Sequence, residues 1–145
     1  WGTLGAMVTA GALLLATTTT PGGASAPLVD ADSFRVVALG WVVVAVGLTV
    51  LLTPDVERDA GKDPGVIVMD EVAGYWATLL AFERPGLEHL AAAFFVFRLF
   101  DIVKPWPGRA LEKLPSGWGV ALDDVMAGVY GAAVLFGAQW LAGAL

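Results

Sequence analysis

Five long apolar runs, separated by short polar or turn-prone stretches, organise the chain. The first covers residues 1–17 and is rich in Ala, Gly and Leu. The polar stretch "TTTTPGGASAPLVDADS" follows, with Pro21, Gly22, Gly23 and Pro27 as breakers. The second run, 36–54, carries no charge and is long enough to cross the roughly 30 Å hydrocarbon core of a bilayer. A charged connector, "PDVERDAGKDPG", leads to the third run at 66–82, and the turn "ERPGLEH" leads to the fourth at 87–103. A loop with Pro105, Pro107, Pro115 and Gly117 precedes the fifth, 120–145. No strand-like alternation or internal repeat interrupts this pattern. The expected fold is all-α: an integral membrane bundle of about five helices forming a single domain over residues 1–145.

Charges interrupt the third and fourth runs, and their placement has a geometric consequence. If consecutive helices alternate in direction, one end of the bundle receives the 55–63 connector, Asp70 and Glu71. The same end receives Arg98, Asp101 and Lys104, then Asp123 and Asp124. The opposite end receives "DADSFR", "ERPGLEH" and the C-terminus. Arg58, Lys62, Arg98, Lys104, Arg109 and Lys113 fall on the charge-rich side, against Arg35 and Arg84 on the other. Positive residues concentrate on the cytoplasmic side of membrane proteins, so the charge-rich end is expected to be cytoplasmic. Trp106 and Trp118 in the flanking loop suit the headgroup level.

Composition supports the membrane reading and narrows the chemistry. Of the 145 residues, 57% are hydrophobic and 15% charged, against roughly 25% charged in average soluble domains. Mean hydropathy is +0.74. Without cysteine, disulfides, thiolate metal sites and cysteine-based phosphatase chemistry are excluded. A single histidine, His89, excludes mechanisms that need two. The net charge of −6 argues against a nucleic-acid partner, which favours a basic face. The chain starts at Trp1 rather than Met, so a trimmed N-terminus is expected, and the first run has neither the basic leader nor the cleavage site of a signal peptide.

The main chemical signal is three acidic clusters in apolar surroundings: Asp70-Glu71, Asp101 with Arg98, and Asp123-Asp124. Ionisable groups within membrane segments are costly and mark function by default. Converging carboxylates repel one another unless a cation intervenes, and oxygen-only ligands favour a hard ion, Mg²⁺ above all or Mn²⁺. Arg98 and Asp101 share a helix face, as do Asp101 and Lys104. Carboxylates, a divalent cation and adjacent basic groups make a phosphate site, in which metal and guanidinium neutralise phosphoryl oxygens. A membrane-embedded phosphatase or phosphotransferase is the expectation. Taken singly, each cluster has a plainer reading: acids favoured by a helix dipole, or a structural ion pair. Three meeting at one end weigh against coincidence. His89 is expected at the surface of the opposite end, and Gly74 and Gly128 as sites of close helix contact.

Other phosphate-handling designs fail on inventory. There is no Gly-x-x-x-x-Gly-Lys-Ser/Thr loop, no second histidine for a histidine nucleophile, and no Asp-x-Asp in a strand context. The spaced signature of the CDP-alcohol phosphotransferases is also absent.

The blocks "KDPGVIVMDEVAGYW" (62–76), "FFVFRLFDIVKPWPGRALE" (94–112) and "GWGVALDDVMAGVYG" (117–131) closely resemble the phosphatidylglycerophosphatase A family of bacterial membrane enzymes. "WGTLGA" (1–6) resembles the tail of that family's N-terminal Pro-Gly-Thr-x-Gly-Ser block, with Ala6 where Ser is common. The resemblance implies Mg²⁺-dependent hydrolysis of the terminal phosphomonoester of phosphatidylglycerophosphate, giving phosphatidylglycerol and phosphate. It implies a multi-pass protein of the bacterial cytoplasmic (inner) membrane whose active site faces the cytoplasm. Membrane lipids and the lipid substrate are the expected partners; no nucleic acid or obligate protein partner is expected. Asp70, Glu71, Asp101, Asp123 and Asp124 are expected to share Mg²⁺ binding and catalysis. Arg98, Lys104, Thr3 and Asp63 are expected to bind substrate. The alternative is a non-catalytic membrane protein that binds or conducts divalent cations, although a pore would want acids at successive depths rather than at one end.

Overall fold

The computed structural model describes residues 31–60, 68–83 and 85–144. Within them the chain is helical: α1 (Ala31–Ala60), α2 (Met69–Leu79), α3 (Leu87–Val103), α4 (Gly108–Leu111) and α5 (Gly117–Ala144). The expected first run, with Thr3, and the Asp63 position lie outside the described residues.

Four of the five apolar runs thus correspond to helices. The second extends further than expected, because α1 continues through Pro54 to Ala60. Proline forfeits one i→i−4 hydrogen bond, but the helix persists, and residues 55–60 are helical rather than part of a connector. Arg58 accordingly pairs with Asp55 one turn back at 3.1 Å. The one-turn helix α4, within the proline-rich loop, was not anticipated.

The second element of the structure, α2, is the centre of the bundle. Every residue from Ala73 to Leu79 is buried, as befits a helix apolar on all sides, and it packs against α1, α3 and α5. Trp76 meets Trp41 and Phe34 of α1, at ring-centroid distances of 6.3 and 6.2 Å. Tyr75 buries its ring and donates its hydroxyl to the Leu90 carbonyl of α3 at 3.0 Å, so the phenol is not left unsatisfied.

Close approach of α2 to α5 depends on small residues. A Cβ at Gly74 would stand 2.5 Å from the Asp124 carbonyl oxygen, and one at Gly128 would collide with the Gly74 carbonyl. Thr78 adds a hydroxyl 3.3 Å from the Gly128 carbonyl. The expectation that these two glycines serve helix contact is met, and the contact sets the height of Asp124 against α2.

Among the described residues, two helices have the length and composition to cross a membrane: Ser33–Arg58 within α1, mean hydropathy 2.5, and Gly117–Gly143 within α5, mean hydropathy 1.5. Their apolar side chains are largely on the outside, among them Val36, Val43, Leu51, Val134 and Trp140. An outward apolar surface of this extent matches lipid better than water. At 11 residues, α2 is too short for a bilayer core of roughly 30 Å, and its burial places it inside the protein.

Candidate active site

The helix ends carry the chemistry. Asp70 and Glu71 lie in the first turn of α2, Asp101 in the last turn of α3, and Asp123 and Asp124 two turns into α5. Lys104 caps α3 in the left-handed conformation, φ 43°, directly before Pro105. The expected helix end at Lys104-Pro is therefore present, and it turns the lysine back toward α5.

These residues line one cavity of about 390 Å³, together with Glu57 of α1, Glu112 and Ser116 of the α4–α5 region, Leu114 and Val120. Five of the six expected acidic residues are thus brought together with Lys104, and the sixth, Asp63, lies outside the described residues. Arg98 is not among the lining residues: its guanidinium donates to Asp101 Oδ2 at 2.8 Å and stands 3.4 Å from Glu71 Oε1. It ties α3 to α2 and holds two cavity carboxylates in place.

Lys104 is the cation at the cavity wall. Its ammonium donates to Asp123 Oδ2 at 2.6 Å and lies 3.6 Å from Glu112 Oε1. Burial alone would lower its pKa, but the hydrogen bond and charge of Asp123 outweigh this and hold it above the ordinary lysine value. The other Asp123 oxygen, Oδ1, accepts the Asp124 backbone N–H at 3.0 Å. Both oxygens of Asp123 are therefore engaged within the protein.

Asp70 and Asp124 contrast with it. Asp70 Oδ1 is buried without a hydrogen-bond partner. The Asp124 carboxyl lies within the repulsive field of Asp70, Asp101 and Asp123. A buried unpartnered carboxylate oxygen is costly, and a group of acids this close is stabilised by a cation between them.

Sequence reasoning missed Glu57, Glu112 and Ser116. Glu57 had a signal: it continues the i, i+4 series of the buried Thr49 and Thr53, had the helix been carried through Pro54. For Ser116 no sequence signal exists.

The opposite end of the bundle is different. Arg35 pairs with Glu83 at 3.4 Å. Gly86 N–H donates to His89 Nδ1 at 3.0 Å, and that ring lies edge-on to Phe82. His89 thus serves a helix start at the end away from the acidic cavity, as expected, but its ring is half-buried and stands 3.1 Å from Glu88 Oε1.

Comparison with known proteins places the chain. The family model described as Phosphatidylglycerophosphatase A matches residues 1–139. The chain belongs to the phosphatidylglycerophosphatase A family. Among its relatives, phosphatidylglycerophosphatase A of Escherichia coli is 37% identical over 108 residues, covering 72% of this chain and 63% of that protein. The enzyme of the same name from Haemophilus influenzae is 43% identical over 79 residues, or 54% of this chain and 48% of the other. A Bacteroides thetaiotaomicron protein with the provisional description phosphatidylinositol-3-phosphatase is 40% identical over 115 residues, 73% of this chain and 71% of its own length. The chain thus spans less than two thirds of the two phosphatidylglycerophosphatases. No solved structure matches it.

The donor set in this phosphatidylglycerophosphatase A-like site suits a hard divalent cation, since carboxylate oxygens dominate and no nitrogen or sulfur ligand is present at the cavity. Among the described residues no three acids already stand in ligating geometry. The unpartnered Asp70 Oδ1 and the crowding around Asp124 are the observations that fit a cation.

Proposed function

We propose that this cavity hydrolyses the terminal phosphomonoester of phosphatidylglycerophosphate, releasing phosphatidylglycerol and phosphate, with Mg²⁺ as cofactor. The observation that carries the reading is the convergence of Asp70, Asp101, Asp123 and Asp124 with Lys104 in one cavity, in a chain of this family. The relative described as a phosphatidylinositol-3-phosphatase has a different lipid in its name. What the two descriptions share is a phosphomonoester on a phospholipid headgroup.

Asp70, Asp101, Asp124 and the free lone pairs of Asp123 would hold Mg²⁺. Bound there, the ion would neutralise phosphoryl oxygens and lower the pKa of water. The chain's own groups account for the rest. Lys104 offers its ammonium to the phosphoryl group, held by Asp123 and Glu112. The proton of the attacking water passes to a cavity carboxylate that does not hold the ion, Glu57, Glu71 or Glu112, as the P–O(glycerol) bond breaks. The leaving alkoxide takes up that proton, from the carboxyl group or through water, to become the alcohol. Arg98 keeps Asp101 and Glu71 fixed, which limits reorganisation during the reaction.

The alternative of a cation conduit is less favoured by the geometry. A path through the bundle would cross the level of Tyr75, Trp76, Leu79 and Phe97, which are fully buried. The membrane reading follows the same lines. Helices α1 and α5 span the inner membrane, acyl chains lie against their apolar flanks, and the cavity opens to the cytoplasm.

The test is phosphate release by the purified protein from phosphatidylglycerophosphate and from phosphatidylinositol 3-phosphate in mixed micelles, with Mg²⁺ and with a chelator. Turnover of the former that requires Mg²⁺ is expected. Preference for the latter would transfer the substrate assignment, and turnover that ignores the chelator would remove the metal from the account.

A further inference from the structure

Among the described residues, two buried side-chain oxygens lack a hydrogen-bond partner: Asp70 Oδ1 and Ser116 Oγ. Both residues line the same cavity. Asp70 has a role in the chemistry above, whereas Ser116 has none. A buried hydroxyl without a partner is uncommon enough in folded proteins to require a reason.

Helix capping is the ordinary reason for a serine at this position, and here it does not apply. Ser116 directly precedes α5, where a serine oxygen usually accepts the second or third helical N–H from an extended backbone. Its backbone is instead left-handed, φ 49°. The Gly119 N–H donates to the Ser116 carbonyl at 3.1 Å, so that amide is satisfied without the hydroxyl. Glycine would take this conformation without strain, yet the position holds a residue with a side chain.

The surrounding turn is pinned. A Cβ at Gly117 would come within 2.7 Å of the Thr49 carbonyl of α1, and one at Gly119 within 2.6 Å of the Leu114 carbonyl. Ser116 is thereby fixed against both α1 and the start of α5.

The inventory of the cavity decides what the hydroxyl could serve. Of the eleven lining residues, only Lys104 and Ser116 carry a side-chain hydrogen-bond donor when the acids are ionised. A phosphomonoester dianion has three terminal oxygens to satisfy, and one ammonium does not surround them. We propose that the Ser116 hydroxyl donates a hydrogen bond to a phosphoryl oxygen of a phosphomonoester bound in this cavity. The proposal rests on reading the cavity as a phosphate-ester site, and it adds a substrate-contacting residue to it.

Two variants of the protein in detergent separate the hydroxyl from the backbone. Ser116→Gly removes the hydroxyl and relieves the left-handed residue, while Ser116→Ala removes the hydroxyl and keeps the strain. Both should lower kcat/KM for phosphatidylglycerophosphate about ten-fold and weaken competitive inhibition by inorganic phosphate by a similar factor. The glycine variant should melt no lower than wild type. A defect confined to Ser116→Ala would overturn the proposal, because backbone strain would then explain it. So would a loss of turnover in both variants with phosphate inhibition unchanged, which would put the hydroxyl on another part of the substrate. If the wild-type protein hydrolyses no phospholipid monoester, the proposed function fails by itself. Calorimetric titration with inorganic phosphate in the presence of Mg²⁺ then still reads the proposal: about ten-fold weaker binding to Ser116→Gly supports it, and equal binding, or none by wild type, overturns it.

Discussion

Lys104 Nζ stands 2.6 Å from Asp123 Oδ2, joining the residue that ends α3 to a carboxylate two turns into α5. The Asp123 side chain is 6% exposed and that of Lys104 28%, so the carboxylate depends on the partly exposed ammonium rather than on bulk water. Breaking a buried pair from one side leaves the other charge uncompensated and costs about 3 kcal/mol or more. Lys104→Met should therefore lower the melting temperature clearly and reduce phosphate release by about a hundred-fold. Asp123→Asn should reduce turnover to a similar degree. Thermal unfolding in detergent alongside initial rates checks both, and near-native rates in either variant would separate this pair from the chemistry.

Arg98 and Lys104 should respond differently. Arg98 is engaged with Asp101 and Glu71 and is not part of the cavity wall, whereas Lys104 lines it. An interaction that positions catalytic groups shows mainly in kcat, and a group that holds substrate shows also in KM. Arg98→Ala should lower kcat by about ten-fold or more with KM within about two-fold, while Lys104→Ala should raise KM as well. Steady-state kinetics on mixed micelles distinguish the two, and a rise in KM alone for Arg98→Ala would return the guanidinium to direct substrate binding.

The α2–α5 contact is predicted to be sensitive to a single methyl group. A Cβ at Gly128 would meet the Gly74 carbonyl, backbone that cannot move without shifting a helix. Gly128→Ala should destabilise the protein by about 1–3 kcal/mol and reduce activity through displacement of Asp124. Gly137, where a Cβ would meet nothing within 4 Å, provides the control. Gly137→Ala should leave both melting temperature and rate near wild type.

The far end of the bundle should be silent. The Arg35–Glu83 pair is 3.4 Å apart with side chains 39% and 66% exposed, and exposed pairs contribute about 0–1 kcal/mol. Arg35→Gln should change phosphate release by less than about two-fold, measured under the same conditions as the cavity variants.

The residues themselves show what sequence can reveal here. Long apolar runs and embedded acids made four helices legible, and alternation of direction was enough to bring Asp70, Asp101 and Asp123-Asp124 to one end. Partner choice was not legible. Glu71 meets Arg98, 27 positions away, and that pairing depends on how α2 and α3 pack. Glu57 was missed because proline usually ends a helix, whereas α1 continues past Pro54 to Ala60. Ser116 was missed because its significance lies in a left-handed backbone and an unpartnered oxygen, neither of which has a sequence signature.

The central claim is that the acidic cavity holds Mg²⁺ through Asp70 while Lys104 and its neighbours bind a phosphomonoester. The most direct measurement is Mg²⁺-dependent phosphate release from phosphatidylglycerophosphate by wild type and Asp70→Asn, prepared and assayed side by side. The account predicts turnover by wild type that a chelator abolishes and Mg²⁺ restores, and a loss of at least about a hundred-fold in the variant. Wild-type turnover unaffected by chelation, or near-native turnover by Asp70→Asn, would contradict it.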